Sequence, residues 1–555
     1  MIEIVIENLH QRQQIESGAT LAEIAKQYAE VTQAQYPILG AVVNNIVRTL
    51  DYRLYKPKRI RFLDIKSPVG YEMYRNSLCL MLYKAVKECY PDAILSIQHT
   101  LQGSLYCQIT RQKDEETNPK TVAKMVREKM IELQEADLPF GHETMEKESA
   151  ARLMKEQGLP ETSRLINGLN QLYIDIQFLG ETAYKTPTAL VPSTGCLNIW
   201  DFRRYEQGYL LQCADTEHPD KLAYFEETPK TFKIFQEHHR WAEVLHVPTI
   251  PDLNAIVRQN GSNRLIHVAE ALHEKKYGEI AQQIADRKEV RLVLLAGPSS
   301  SGKTTSCRRL SVHLNVLGID VKQLSLDDYF LCRAKTPKLP NGEYDFESMN
   351  ALDIPLLNEH LQKLFAGEEV AIPTFDFKKG DPYYSGKTLK LGKKSLLLVE
   401  GIHALNPGLT GSIDNNLKFK VYVSALTQIA IDEQNIIHCS DNRLIRRMVR
   451  DNNFRGWDAY NTLHHWSEVQ RGEQEHIFPY QEEADAMFNS ALLYELGVLK
   501  VYAEPLLKRV PQQCEEYAEA QRLLTFLDII DPIESKFIPP TSIMREFLGG
   551  SSFEY

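Results

Sequence analysis

The run Ala296-Gly297-Pro298-Ser299-Ser300-Ser301-Gly302-Lys303-Thr304-Thr305 is where residue types and spacing in this chain most directly specify chemistry. Glycine, four residues, then Gly-Lys-Thr is the spacing of a loop that wraps phosphate. Small side chains let successive backbone N–H groups curl around the oxygens, and Lys303 reaches the β- and γ-phosphates. Thr304 brings the hydroxyl expected on Mg²⁺, and a helix predicted over 305–317 turns its positive end toward the same anion. Gly297, Ser299, Ser300, Ser301, Gly302, Lys303, Thr304 and Thr305 are therefore assigned to a nucleoside triphosphate. The competing reading, a Ser/Gly-rich turn, does not account for the apolar stretch 291–295 that leads into the loop.

Two further positions place acids directly after apolar runs. Residues 321–326 end in Asp327-Asp328, followed by Tyr329-Phe330. Such a carboxylate can take the proton from an acceptor hydroxyl as it attacks a phosphoryl group, and this role is placed on Asp327; a turn cap is the alternative. Residues 395–399 end in Glu400-Gly401, where an acid can hold Mg²⁺ or its water shell opposite Thr304. The alternative there is an ordinary strand-end residue. Arg443, Arg446, Arg447 and Arg450 fall at i, i+3, i+4 and i+7, one helical face, which Asp441 and Asp451 neutralise only in part. With Arg455 they read as a lid closing over phosphates. Arg447 and Arg450 are assigned to the nucleotide, and Arg443 and Arg446 to the reacting group. A solvated basic face competes with this reading.

The elements that must position these groups follow from the pattern around them. From residue 290 onward strands and helices alternate, which predicts a parallel sheet with crossover helices and ligands at the carboxyl ends of the strands. Residues 1–64 read as a compact β-rich module: 2–6 alternate, Thr20 and Glu23 form a capping box ahead of a helical pattern to 28, and 38–47 are strand-like. Residues 65–225 mix helices (73–89, 120–135) with strands (105–109, 172–178). Residues 226–285 connect the two halves, with Pro248 and Pro251 in an extended stretch and a helix over 263–284. After 511 a tail carries one helix, 515–527.

Composition narrows the function classes. A net charge of -10 across 555 residues gives no overall basic surface for nucleic acid. The 9 cysteines are scattered, with no Cys-x-x-Cys pair, which fits a reducing cytoplasm and no thiolate metal site. The first residues lack a cationic leader and no stretch reaches membrane-span length, so neither export nor a membrane is expected. His238, His239, His246 and the pair His464-His465 match no ligand spacing and are read as surface or interface residues.

Gly-Pro-Ser-Ser-Ser-Gly-Lys-Thr, Leu326-Asp327-Asp328-Tyr329-Phe330, Asp345-Phe346-Glu347, Pro373-Thr374-Phe375-Asp376-Phe377, Val399-Glu400-Gly401-Ile402 and Asp441-Asn442-Arg443-Leu444-Ile445-Arg446-Arg447 occur in the order seen in the uridine kinase and phosphoribulokinase family. Residues 286–510 resemble that family. The resemblance implies an α/β P-loop kinase that uses ATP and Mg²⁺ to phosphorylate a nucleoside 5′-hydroxyl, uridine or cytidine being favoured. It places Asp327 as base, Thr304 and Glu400 at the metal, Glu347 on ribose hydroxyls, Phe375 beside the base, Tyr329 and Phe330 on the acceptor side, and Arg443 and Arg446 in the lid. One departure stands out: where pyrimidine kinases follow Phe377 with a base-reading histidine, this chain has Lys378-Lys379-Gly380. Gln434, Asn435 and Tyr383-Tyr384 are left as substitutes, and a phosphoribulokinase-like kinase for another hydroxylated metabolite as the alternative.

The N-terminal half is similar to the front of threonyl-tRNA synthetases. Gly18-Ala19-Thr20-Leu21 and residues 37–44 resemble their TGS module, a β-grasp fold, and 136–140, 191–195 and 205–211 resemble their editing-type α+β domain. The family's two ligand pairs correspond to Asn76 with Leu80 and Thr186 with Leu190, so metal- or His-dependent hydrolysis is not expected. A scaffold or regulator of the kinase is the favoured role. An RNA-associated regulator and a homo-oligomer remain open.

Overall fold

The computed structural model describes residues 1–111, 118–186, 188–339, 342–376, 379–427 and 429–554. Alternation in Ile2–Ile6 turns Ile4 and Ile6 inward, and this strand is an inner strand of a five-stranded mixed sheet. It runs antiparallel to Gln11–Ile15 and parallel to Lys58–Leu63, which pairs in turn with Gly40–Val43 and its hairpin partner Ile46–Arg48. The helix Leu21–Thr32 starts at the Thr20–Glu23 capping box and packs Leu21, Ile24 and Ala25 into the same core.

The next region is organised by the helix Pro68–Cys89, buried along most of its length because its sequence is apolar nearly all round. It shares one core with a four-stranded antiparallel sheet (Ile94–Leu101, Ser104–Thr110, Gly208–Gln212, Asp201–Tyr205) and with a three-stranded one (Phe140–Glu146, Tyr173–Leu179, Thr182–Tyr184). Residues 226–285 correct the sequence expectation. The helix Ser262–Asp286 lies where the 263–284 pattern placed it, but two further helices, Pro229–Val244 and Ile250–Arg258, precede it, the second of them running through Pro251 in the stretch read as extended. Pro229 and Pro251 sit in first turns, where a missing N–H goes unneeded, so these prolines start helices. His238 lies buried on the first of them, and enclosure drives its ring down to about 3, a value suited to a neutral core histidine.

The kinase-like half is built on a five-stranded parallel sheet in the order Val321–Ser325, Leu396–Glu400, Leu292–Ala296, Lys418–Ser424, Ala486–Asn489. Register aligns Ser325 with Glu400 and Glu400 with Leu295, so the acid-bearing strand ends and the phosphate loop share one carboxyl edge. The residues after 510 are not a peripheral tail. The helix Tyr517–Asp528 buries Leu523 and Leu527 in the core that also holds Leu444 and Met448, while Ile543 and Phe547 pack with the sheet residues Leu295 and Val423. No helix among the described residues is long and apolar enough to cross a membrane.

Candidate active site

The phosphate loop is fixed by close approach. A Cβ on Gly297 would stand 2.0 Å from the Val423 carbonyl oxygen, so only glycine lets the loop leave the sheet here. Gly302 turns the chain into the helix Lys303–Val316 at a left-handed φ of +80°, and Ser300 adopts +58°. The Ser300 and Ser301 hydroxyls are buried without partners. Lys303 Nζ donates to the Pro298 carbonyl at 3.1 Å. Enclosure pulls its ammonium below the usual value, against the opposing pull of Glu400, Asp327 and Glu546.

Thr304 Oγ1 lies 3.5 Å from Glu400 Oε1, which also accepts from Ser325 Oγ at 2.9 Å. Burial first, and then the Asp327 charge, raise the Glu400 carboxyl to about 7. A buried hydroxyl and carboxylate at this spacing are hard oxygen donors, and a divalent cation beside them would offset the penalty on the ionised acid. The pair fits Mg²⁺.

Asp327 and Asp328 part company in the short 3₁₀ turn Leu326–Tyr329. With three residues per turn, Leu326 and Tyr329 fall on one side and are buried, leaving the two acids half-buried on the other. The Asp327 charge acts on Lys303, Glu347 and Glu400, whereas Asp328 pairs with Lys387 at 3.7 Å. Tyr329 departs from its expected place on the acceptor side: it is buried, and its hydroxyl meets His360 Nδ1 at 2.9 Å. It anchors the turn from below.

Phe330 contacts Phe375 with ring centroids 5.5 Å apart and Phe346 at 6.4 Å, forming an aromatic wall. Phe346, which has no role assigned from sequence, leaves 40% of its surface open. Next to it, Glu347 Oε2 is shut away from water without a partner, and burial, outweighing the counter-pull of Arg447, raises this carboxyl to about 7. The base-reading slot after Phe377 opens at Lys378, which with Phe377 lies outside the described residues. Of the substitutes, Tyr383 and Tyr384 are exposed, but Asn435 bonds the Lys185 carbonyl at 2.9 Å, and Gln434 lines a cavity with Glu72, Asn76 and Thr188. Both amides therefore face the N-terminal half and cannot read an acceptor.

The arginine helix, Cys439–Phe454, divides in a way the spacing does not show. Arg446 is fully buried, bonded to Glu495 (Nε to Oε2, 2.8 Å), the Ser490 carbonyl (2.9 Å) and the Ser300 carbonyl (3.3 Å). Arg443 makes a two-pronged pair with Glu473, Nη2 to Oε2 at 2.7 Å, and reaches the Ser299 carbonyl at 3.3 Å. Both are neutralised in place and brace the loop from behind, so the expectation that they belong to a lid is corrected.

Arg447, Arg450 and Arg455 differ. All three crowd one buried carboxylate, Asp451, at 3.3, 2.8 and 3.6 Å, and Arg447 Nη1 donates to Ser299 Oγ at 2.8 Å. Three cations share this one carboxylate beside the phosphate loop, and Glu347 and Glu473 also act on Arg447 and Asp327 on Arg455. Arg450 pushes the Arg455 guanidinium down to about 10, the sign of a cluster that another anion would stabilise. Glu473 and Glu495, the counter-ions that decide this division, lie far along the chain and carry no motif.

Residues 292–493 match the family described as "Phosphoribulokinase / Uridine kinase family". A uridine kinase of Schizosaccharomyces pombe is 31% identical over 192 residues, 34% of this chain and 38% of that protein. Uridine-cytidine kinase B of Dictyostelium discoideum is 26% identical over 197 residues, 35% of this chain and 73% of its own, and a uridine kinase of Deinococcus deserti 28% over 177 residues, 32% and 76%. The chain thus spans 38% of the first relative and about three quarters of the other two. At residues 292–493 it carries a phosphoribulokinase/uridine kinase family domain.

Proposed function

We propose that the chain transfers the γ-phosphoryl group of ATP to the 5′-hydroxyl of a nucleoside, uridine or cytidine being favoured. The observation that supports this reading is that Asp327, Lys303 of the phosphate loop and Glu347 lie close enough for their charges to act on one another, with the rings of Phe330, Phe346 and Phe375 clustered and Phe346 next to Glu347 in the chain. The phosphate side holds clustered arginines and the acceptor side holds aromatic rings with a carboxylate next to them in the chain, an arrangement suited to a base and a ribose. Asp327 takes the hydroxyl proton, Lys303 with Arg447, Arg450 and Arg455 offsets charge on the phosphoryl oxygens, and Glu347 accepts hydrogen bonds from sugar hydroxyls. Mg²⁺, held at Thr304 and Glu400, would supply charge neutralisation on the phosphates.

A panel of nucleosides and sugar phosphates, each incubated with the protein and ATP and assayed for ADP, tests the acceptor. Strong stimulation by pyrimidine nucleosides is expected; stimulation by sugar phosphates alone would select the phosphoribulokinase-like alternative. Glu347 adds a pH signature. With its carboxyl at about 7, it is mostly protonated near pH 6 and ionised near pH 8, the form that accepts from two hydroxyls. kcat/KM for the acceptor is expected to rise about tenfold between those values, and the rise to flatten in Glu347→Gln. The raised value also means that the folded chain holds this proton more tightly than the unfolded one. The Glu347 contribution to stability is therefore complete below the ordinary carboxyl range and is lost as pH climbs through about 7.

For the N-terminal half we propose a scaffold or regulator made of a β-grasp module (1–64) and a degenerate editing-like domain (65–225). The sheet order of the first module supports the former. For the latter, Asn76 Nδ2 is committed to Thr188 Oγ1 at 2.6 Å and Leu80 and Leu190 are buried, an arrangement without ligand chemistry.

A further inference from the structure

Gly302 caps the phosphate-loop helix, so the amides of Lys303, Thr304 and Thr305 are those a helix leaves unpaired and a phosphate would satisfy. Among the described residues the amides of Ser300, Gly302, Lys303 and Thr304 donate to no protein acceptor. Thr305 differs. Its amide donates to Glu546 Oε2 at 3.1 Å, and its hydroxyl to the same oxygen at 2.6 Å.

Glu546 arrives from the far end of the sequence on the short helix Met544–Leu548, which is held on every side. Ile543, Met544 and Phe547 are fully buried. Ile543 Cγ2 lies 2.7 Å from where a Gly302 Cβ would stand, Asn453 Nδ2 donates to the Phe547 carbonyl at 3.1 Å, and the Arg446 guanidinium sits 5.1 Å over the Phe547 ring. The backbone of this helix cannot leave without opening the core, whereas the Glu546 side chain, only half-buried, can turn. Its charge also reaches Lys303 and Glu400, so it faces the same pocket. In the same phosphate loop the buried hydroxyls of Ser300 and Ser301 have no partner among the described residues, an independent sign of a site built for a further polar group.

We infer that Glu546 is an anion built into the nucleotide site, where it holds the donors of Thr305 that a nucleotide phosphate would take and thereby sets the affinity for phosphate-bearing nucleotides. The inference rests on the nucleotide assignment above and deepens it. A phosphate entering the loop meets a carboxylate already seated on the helix terminus, and Glu546 must release Thr305 to admit it.

The test is titration calorimetry on the full chain with adenosine, ADP and ATP in turn, without acceptor. Glu546→Gln removes the charge but keeps an oxygen for the Thr305 amide, so the helix cap survives. ADP and ATP are expected to bind about tenfold more tightly to this variant, because a like-charge opposition has been removed, while adenosine affinity is unchanged. Glu546→Ala should show the same phosphate-dependent gain, with thermal melts confirming that each variant is folded. Unchanged ADP and ATP affinity in both folded variants would overturn the inference and leave Glu546 a plain cap, and equal tightening of adenosine would overturn it in favour of a general rearrangement. Failure of the native chain to bind either nucleotide would instead overturn the nucleotide assignment beneath it.

Discussion

Asp327→Asn is expected to lower turnover about 10²–10⁴-fold while leaving ATP affinity nearly intact. The expectation follows from the 3₁₀ turn, which buries Leu326 and Tyr329 and leaves Asp327 facing Lys303, Glu347 and Glu400. Asparagine preserves the shape of the side chain but cannot take a proton. Asp328→Asn is the matched comparison. Its carboxylate is turned to Lys387, so that substitution should cost far less turnover. Steady-state rates with saturating ATP decide the matter, and equal losses at both positions would remove Asp327 from the role of base.

The second large effect is on stability. Glu495→Gln leaves the Arg446 guanidinium buried without its counter-ion, and stripping one partner from such a pair costs about 3–5 kcal/mol. Glu495 also accepts from Asn442 Nδ2 at 2.7 Å, so the loss spreads to a second buried group. Urea unfolding followed in the kinase-like half should show a clearly earlier transition. Replacing Arg446 and Glu495 together by methionine should recover much of that loss, because an apolar pair of similar volume avoids the desolvation penalty. The double variant should still bind ATP weakly, since nothing then holds the Ser300 carbonyl. Recovery of both stability and affinity would show that the pair does not brace the loop.

The sequence exposes the site unevenly, and physical causes separate what was legible from what was not. The phosphate loop, Asp327 and Glu400 were readable because apolar runs ending in glycine or acid mark the carboxyl edge of a parallel sheet, whose register then brings the ends together without further information. The arginine face was readable as one helix face and not as two populations. Charge spacing reports neighbours on the same helix, while Glu473 and Glu495, which neutralise Arg443 and Arg446, come from other elements. Tyr329 shows the opposite limit: the resemblance placed it on the acceptor side with Asp327, but a three-residue turn puts it with Leu326 in the core and leaves Asp327 on another side. Pro251 sits in the first turn of a helix where composition alone suggested extended chain. Met544–Leu548 is too short for any periodic signal, so its place against Gly302 and Thr305 came only from the fold.

That placement also bears on how the protein is made. Thr305 and Glu546 are 241 residues apart, which at ~5–20 residues/s separates their synthesis by roughly 12–50 s. Within that interval the strands Val321–Ser325, Leu396–Glu400, Lys418–Ser424 and Ala486–Asn489 are made, so the sheet can be completed before Glu546 reaches Thr305. The Thr305–Glu546 contact therefore forms only after every strand of the parallel sheet has been synthesised.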